Sequence, residues 1–437
     1  MTSPARRAGA YAALSTLSLA VPFLGPELAA PIAVAAAALA LVVTDGPLFE
    51  LFAFPGDYKD GRLYSLLTFV LAISALGLLA VNWSLPMSVF VGAVLLVGYG
   101  GFAEHLARTR TDRDIVHTAA FCVVGSLAAI AGQAGSYVAT DTTLEGALPV
   151  LVFLAVAGTL LAALLRDVLI NYDEPIVLLS VGFALWLLWA LEPTVDTTGI
   201  VVALGVTLAL GYVSHALGTA SIAGMLTGIL LALLTIVLGG YDWFAVLITF
   251  FAVGSLSTKF RYEEKASRGV AEGNDGARGS SNVLGNTAAA LACVLGYAAS
   301  NATLIGVDPH LFLFAFAGSV ATALSDTLSS EIGAVFDNPR LITTLEPVDP
   351  GTDGGITWQG ELAGIAGAGA IAGVALAVYP DLGIGGAAVI FAAGFLGMTA
   401  DSLFGATLEG ETIGNQSVNF LATLTGAVVG AALYLLV

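Results

Sequence analysis

Long apolar runs, broken by short polar segments, recur from one end of the chain to the other. Each run is close to the roughly 20 residues that cross about 30 Å of hydrocarbon as a helix. They fall near 8–24, 27–44, 63–81, 86–103, 114–135, 147–165, 175–191, 198–214, 218–238, 243–258, 283–300, 309–336, 361–379, 383–403 and 418–437. The dyad alternation of a membrane β-barrel is not visible. The pattern predicts an all-α polytopic membrane protein with about 15 transmembrane helices. Arg6 and Arg7 precede the first run. That run continues past Pro22 and Pro26 into a second one, so it reads as an uncleaved first helix and not as a signal peptide.

Lys and Arg in short loops set the orientation. With Arg6 and Arg7 inside, alternation places Lys59, Arg62, Arg108, Arg110, Arg113, Arg166, Lys259, Arg261, Lys265, Arg268, Arg278 and Arg340 on the same side. The opposite loops contain no Lys or Arg. A multi-pass protein of the cell membrane with a cytoplasmic N-terminus is expected. The same alternation brings Asp326, Glu331, the 337–360 loop, Asp401, the 405–417 loop and Asn419 to the cytoplasmic surface. A site built from them would face the cytoplasm. The two long polar loops come after residue 200. Residues 1–200 are therefore read as an N-terminal multi-helix membrane region and 201–437 as a second domain.

Composition agrees and narrows the function. The chain is 57% hydrophobic and 11% charged, where a soluble domain carries about 25% charged residues. Its net charge is −18, and its 52 Gly suit close helix packing in lipid. Acidic loops with almost no Lys suggest a halophilic cytoplasm and argue against a nucleic-acid partner, which needs a basic footprint. Two Cys, at 122 and 293, exclude a disulfide framework and a Cys-based metal site. The pattern GxxxxGK[ST] is absent, which excludes a P-loop.

A charge in a bilayer costs about 2.5–3.5 kcal/mol even on the lenient insertion scale. Asp326, Glu331, Glu361, Asp401 and Glu409 at the edges of apolar runs are therefore suspects. In Ser325-Asp326-Thr327-Leu-Ser-Ser330-Glu331, Asp326 shares a helix face with Ser330, and Thr327 with Glu331. Asp326 and Glu331 point about 140° apart, so one can hold a metal while the other orients a neighbour. Asp401-Ser402 closes another run at the same expected depth. A second carboxylate at that level is what a divalent-metal site needs. Glu361 and Glu409 read as helix-start and loop residues.

Two polar stretches admit two readings each. The Gly-rich basic loop from Lys259 to Asn286 suits an anion. It equally suits an ordinary positive-inside loop with an N-cap at Ser281 or Asn282. Pro350-Gly-Thr352-Asp-Gly354-Gly355 is either a phosphate cradle or a tight turn re-entering the membrane beside Trp358. In the N-terminal half, Arg113-Asp-Ile-Val-His117 and Asp173-Glu174-Pro175 read as starts of helices.

The order of these motifs resembles the transmembrane protein 19 / phytyl-phosphate kinase family over roughly 205–437. The matching parts are the basic loop leading to Asn282 and Asn286, the Ser325-Asp326-Thr327 to Gly333 signature, Arg340-Leu-Ile-Thr-Thr344, the 350–357 turn, and Gly394 to Ala406. The family loop reads QVxxNG, where this chain has Asn282-Val-Leu-Gly-Asn286-Thr287. Arg113 to His117 is similar to the RKxxH segment of dolichol and phytol kinases, which would make 1–200 distantly polyprenol-kinase-like.

The resemblance implies transfer of a phosphoryl group from a nucleoside triphosphate, CTP for these lipid kinases, to an isoprenoid monophosphate. It implies Mg2+ on Asp326 and Asp401, with Glu331 as third carboxylate or positioner. Lys259, Arg278 and Arg340 become candidates to clamp phosphates. Thr327, Ser330, Thr352, Gly354, Gly355 and Ser402 become phosphate contacts, and Asn282, Asn286 and Asn419 hydrogen-bond donors. Two alternatives use much of the same equipment: a CTP-dependent lipid-phosphate cytidylyltransferase, and a transporter or flippase of a lipid-linked phosphate. A transporter expects its acids near mid-membrane and apart.

Overall fold

The computed structural model describes residues 2–24, 26–140, 142–169, 174–271, 279–410 and 413–436, with residues 26, 27, 29 and 30 described by their backbone. The chain is an all-α polytopic membrane protein, and it divides into two compact units, Met1–Val202 and Ala203–Val437.

The first unit holds α1 (Pro4–Ser15), a 3-10 segment (Thr16–Phe23), α2 (Pro26–Val42), α3 (Gly46–Phe52), α4 (Asp57–Asp60), α5 (Tyr64–Asn82), α6 (Met87–Arg108), α7 (Asp114–Ala139), α8 (Leu148–Val168) and α9 (Glu174–Ala190). Helix α10 (Thr197–Ala216) crosses the boundary. Two helix starts fall where the polar clusters suggested, at Asp114 and Glu174; Asp173 lies outside the described residues.

Among the described residues 11 helices are long and apolar enough to cross a membrane, or 12 if one bent pair is a single span. The sequence reading expected about 15. Each apolar run does lie on helix; four of them fall short as continuous long spans. Run 8–24 tightens to 3-10 at Thr16 and contains Pro22, which removes a backbone donor. Run 27–44 bends by 102° into α3. The helices Glu174–Ala190 and Ile222–Leu238 have 17 residues each. That is about 25 Å of helix, a little less than the hydrocarbon thickness.

The second unit continues with α11 (Ile222–Leu238), α12 (Tyr241–Thr258), α13 (Tyr262–Ser267), α14 (Ser280–Asn301), α15 (Pro309–Gly333), β1 (Arg340–Leu341), β2 (Gly355–Ile356), α16 (Trp358–Val378), α17 (Gly383–Leu408) and α18 (Asn415–Tyr434). Helix α14 starts earlier than the sequence reading placed it: its N-cap is Gly279, ahead of Ser281 and Asn282.

Helix α15 is the core of this unit and packs against α12, α14, α16, α17 and α18. Its residues 314–325 are all buried, as expected of a helix that is apolar or small on every side. Thr322 fits between Gly397 of α17 and Gly426 of α18; a Cβ on either glycine would overlap its hydroxyl oxygen. That hydroxyl donates back to Gly318 O at 3.0 Å, so it is satisfied within its own helix. At the start of α15, Pro309 follows the N-cap Asp308, whose carboxylate accepts from His310 N at 2.9 Å. The hydroxyl of Tyr434 also donates to it, at 2.7 Å. Tyr434 first, and then the His310 backbone and ring, hold the Asp308 carboxyl down at about 2.

Candidate active site

The last turns of α15 and α17 come together through a register set one turn earlier. Ala321 faces Gly394 and Thr322 faces Gly397, while Gly318 faces Ala393. The paired numbers rise together, so the two helices run parallel. Adding four residues, about one turn, to Thr322 and Gly397 gives Asp326 and Asp401. Their carboxyl groups are indeed within hydrogen-bonding reach of each other. Asp401 Oδ1 is buried without a protein partner. The small-residue stripe at four-residue spacing is thus the local reason that two distant acids meet.

Glu409 borders this pair, and Asp353 lies beside Glu409. Glu409 caps the C-terminus of α17. Burial pushes its carboxyl above the usual range, and the nearby charges of Asp353 and Asp326 push it further. Sequence reasoning set Glu409 aside and did not single out Asp353. The folding back of the 340–357 hairpin, which brings Asp353 here, leaves no periodic trace in the sequence. Among the described residues no group of three or more His, Cys, Asp or Glu could hold a metal ion. Two adjacent carboxylates, one with an orphaned buried oxygen, still fit Mg2+, which commonly takes one or two carboxylates and completes its shell with water and phosphate oxygens.

The hairpin pairs Arg340 with Ile356 and Leu341 with Gly355, antiparallel. Gly354 has φ +72°, and a Cβ there would stand 2.5 Å from the Ala406 Cβ of α17. Only glycine supplies both the left-handed backbone and the close approach. Gly354→Ala is expected to destabilise the protein by roughly 1–3 kcal/mol, from the left-handed penalty plus overpacking. It should also lower activity, since the turn sits on α17 between Asp401 and Glu409. Thermal unfolding and initial rates check both; a variant with wild-type stability would refute the close-packing account.

The turn's own hydrogen bonds qualify the cradle reading. Thr352 N donates to Asp349 O at 3.2 Å and Gly355 N to Thr352 O at 2.9 Å, so these two N–H groups are engaged internally. Thr352 is exposed and its hydroxyl donates to Asp349 O at 2.7 Å. Arg340 is exposed and its guanidinium donates to Leu345 O at 2.6 Å, within its own loop.

The cation next to α15 is Lys265, which sequence reasoning did not choose. It is 1% exposed. Its ammonium pairs with Glu331 and donates to Thr258 O at 2.9 Å, at the C-terminal end of α12. Glu331 is therefore tied to the α12–α13 arm. Lys259 is exposed, with its ammonium 5.8 Å from the Tyr262 ring centre. Arg278 lies outside the described residues.

The remaining predicted residues divide by burial. Asn286 and Asn419 are buried, at the N-terminal parts of α14 and α18. Asn286 Nδ2 donates to Asn282 O at 3.0 Å. The two helix starts are packed backbone to backbone, since a Cβ on Gly285 would stand 2.9 Å from Gln416 O. Thr327 is buried, Ser402 half-buried, and Ser330 exposed, its hydroxyl donating to Thr327 O at 3.2 Å.

Comparison with known proteins bears on the second unit. The pattern of the family described as integral membrane protein DUF92 matches residues 205–427. An uncharacterized membrane protein of Synechocystis sp. is 36% identical over 199 residues, 44% of this chain and 73% of that protein. One of Methanocaldococcus jannaschii is 36% identical over 198 residues, covering 45% and 77%. The chloroplastic protein VTE6 of Arabidopsis thaliana is 30% identical over 214 residues, covering 48% and 63%. No solved structure matches.

Proposed function

The chain belongs to the DUF92 family of integral membrane proteins, the transmembrane protein 19 / phytyl-phosphate kinase family of the resemblance, and from that premise we propose that it is a membrane phosphotransferase acting on isoprenoid monophosphates. CTP is the proposed donor and a prenyl diphosphate the product, made at the cytoplasmic face. The observation that carries the reading is the contact between the carboxyls of Asp326 and Asp401, beside the hairpin turn at Gly354. Helices α15 and α17 also run unbroken past both acids, unlike the discontinuous helices of transporter sites.

In the proposed step a terminal oxygen of the prenyl phosphate attacks the γ-phosphorus of CTP. The P–O bond to the β-phosphate breaks, and CDP leaves. The attacking oxygen is already anionic, so no strong general base is needed. Asp326 and Asp401 would hold Mg2+, which when bound neutralises charge on the β- and γ-phosphate oxygens. Phosphoryl transfer asks mainly for positioning and charge stabilisation, and these residues sit on stiff, close-packed helices. Asn286 and Asn419 are the proposed donors from α14 and α18. Lys259, Arg278 and Arg340 are the proposed surface cations for the incoming triphosphate.

The test incubates purified protein with geranylgeranyl or phytyl phosphate, CTP and Mg2+. Prenyl diphosphate with CDP is the expected outcome. A CMP-linked lipid with inorganic diphosphate would instead mark a cytidylyltransferase. No product with any of the four nucleoside triphosphates would end the kinase reading.

A further inference from the structure

The first unit contains two cavities that follow one another along the same helices. The first has a volume of about 300 Å3 and the second about 350 Å3, at the low end of the range for small-molecule sites. Helix α1 gives Arg7 and Tyr11 to the first cavity; Leu14 of α1 and Ser18 of the 3-10 segment follow in the second. Helix α5 gives Phe69 to the first, then Val70 and Gly77 to the second. Helix α6 runs the other way and gives His105 to the first and Phe90 to the second. Where one gives way to the other, Tyr11 and Phe69 meet edge to face with ring centres 5.1 Å apart.

The two cavities differ in chemistry. The second is walled mostly by aliphatic side chains, with Ala33 and Ala36 of α2 on one side and Phe90, Ser18 and Ser74 among them. The first is polar at one end. Glu174 pairs with Arg166 through Oε1, and Arg166 is also held by Glu104 at 2.9 Å. The other oxygen of Glu174, Oε2, is buried without a hydrogen-bond partner. A buried acceptor left unmet is costly, so this atom points to a missing donor. His105 Nδ1 donates to Gly101 O at 2.8 Å, which fixes the ring beside the same cavity. Arg7 donates to Ala53 O at 3.0 Å and lies 4.3 Å over the Phe54 ring, which fixes a donor beside the same cavity.

We propose that this tandem cavity binds a single-chain lipid with an uncharged hydroxyl head. The hydroxyl donates to Glu174 and accepts from Arg7; the chain passes the Tyr11–Phe69 collar into the largely apolar slot. A hydroxyl both donates and accepts without carrying charge. A phosphate would set negative charge against Glu174, and an ammonium would face Arg7.

The test uses the full chain in phospholipid nanodiscs and reads binding by native mass spectrometry. The probes are 1-monopalmitoylglycerol, its short-chain homologue 1-monocapryloylglycerol, and palmitoyl lysophosphatidic acid. Monopalmitoylglycerol is expected to bind most tightly of the three. Ala36→Phe, which fills the slot without touching the charged cluster, should weaken it about tenfold. Glu174→Gln should weaken it by a similar factor and leave Arg166 paired with Glu104. Equal binding to wild type and Ala36→Phe overturns the chain assignment. Tighter binding of the lysophosphatidic acid, or no effect of Glu174→Gln, overturns the head assignment.

Discussion

Asp401→Asn is expected to lower prenyl diphosphate formation about a thousandfold, the scale of losing one preorganised charge-stabilising group, and at the same time to raise the thermal midpoint of the metal-free protein. The two effects have one cause. Asp401 and Asp326 lie carboxyl to carboxyl, and Asp401 Oδ1 is buried without a partner. Two acids so placed repel each other and are poorly solvated unless a cation stands between them. An amide at position 401 removes the repulsion and also the ligand. Initial rates with CTP and Mg2+, set beside unfolding curves with and without Mg2+, check both halves. Activity within tenfold of wild type, or a lowered midpoint, would sink the assignment of the pair.

The second large effect is at Lys265. Lys265→Met leaves Glu331 as an uncompensated charge whose side chain is 13% exposed. Breaking a buried ion pair on one side typically costs about 3–5 kcal/mol. The double variant Lys265→Met/Glu331→Leu removes both charges, and replacing a whole buried pair by apolar groups is often neutral. The double variant should therefore recover most of the lost stability. Urea or thermal unfolding of the two singles and the double gives the comparison. A double variant as unstable as Lys265→Met alone would show that the pair's charge balance is not what matters.

The architecture was legible because a membrane helix writes itself in length and apolarity. Every apolar run lies on helix, and the shortfall in long spans comes from local events that composition does not weigh. One is the 3-10 segment at Thr16–Phe23; another is the 102° bend after α2. The meeting of Asp326 with Asp401 was legible as a matter of depth, since both close long runs. The hairpin contact at Gly354 was half-legible, because a turn was plain but its seat on Ala406 was not. Lys265 and Glu331 are 66 residues apart, and no spacing rule joins a loop lysine to a helix-end glutamate. The resemblance points to Lys259, which is exposed, whereas Lys265 of α13 is the buried lysine.

The fit of Thr322 between Gly397 and Gly426 has a consequence for motion. Helices in backbone contact cannot slide past each other without breaking many contacts at once, so α15, α17 and α18 behave as one stiff post. Asp326 and Asp401 are then held at a fixed separation. The parts joined to that post by few attachments are α13, latched through Lys265, and the hairpin, seated through Gly354. Loosening the Lys265 latch would free α13 and leave the post intact, whereas widening Gly397 would part the helices that carry Asp326 and Asp401.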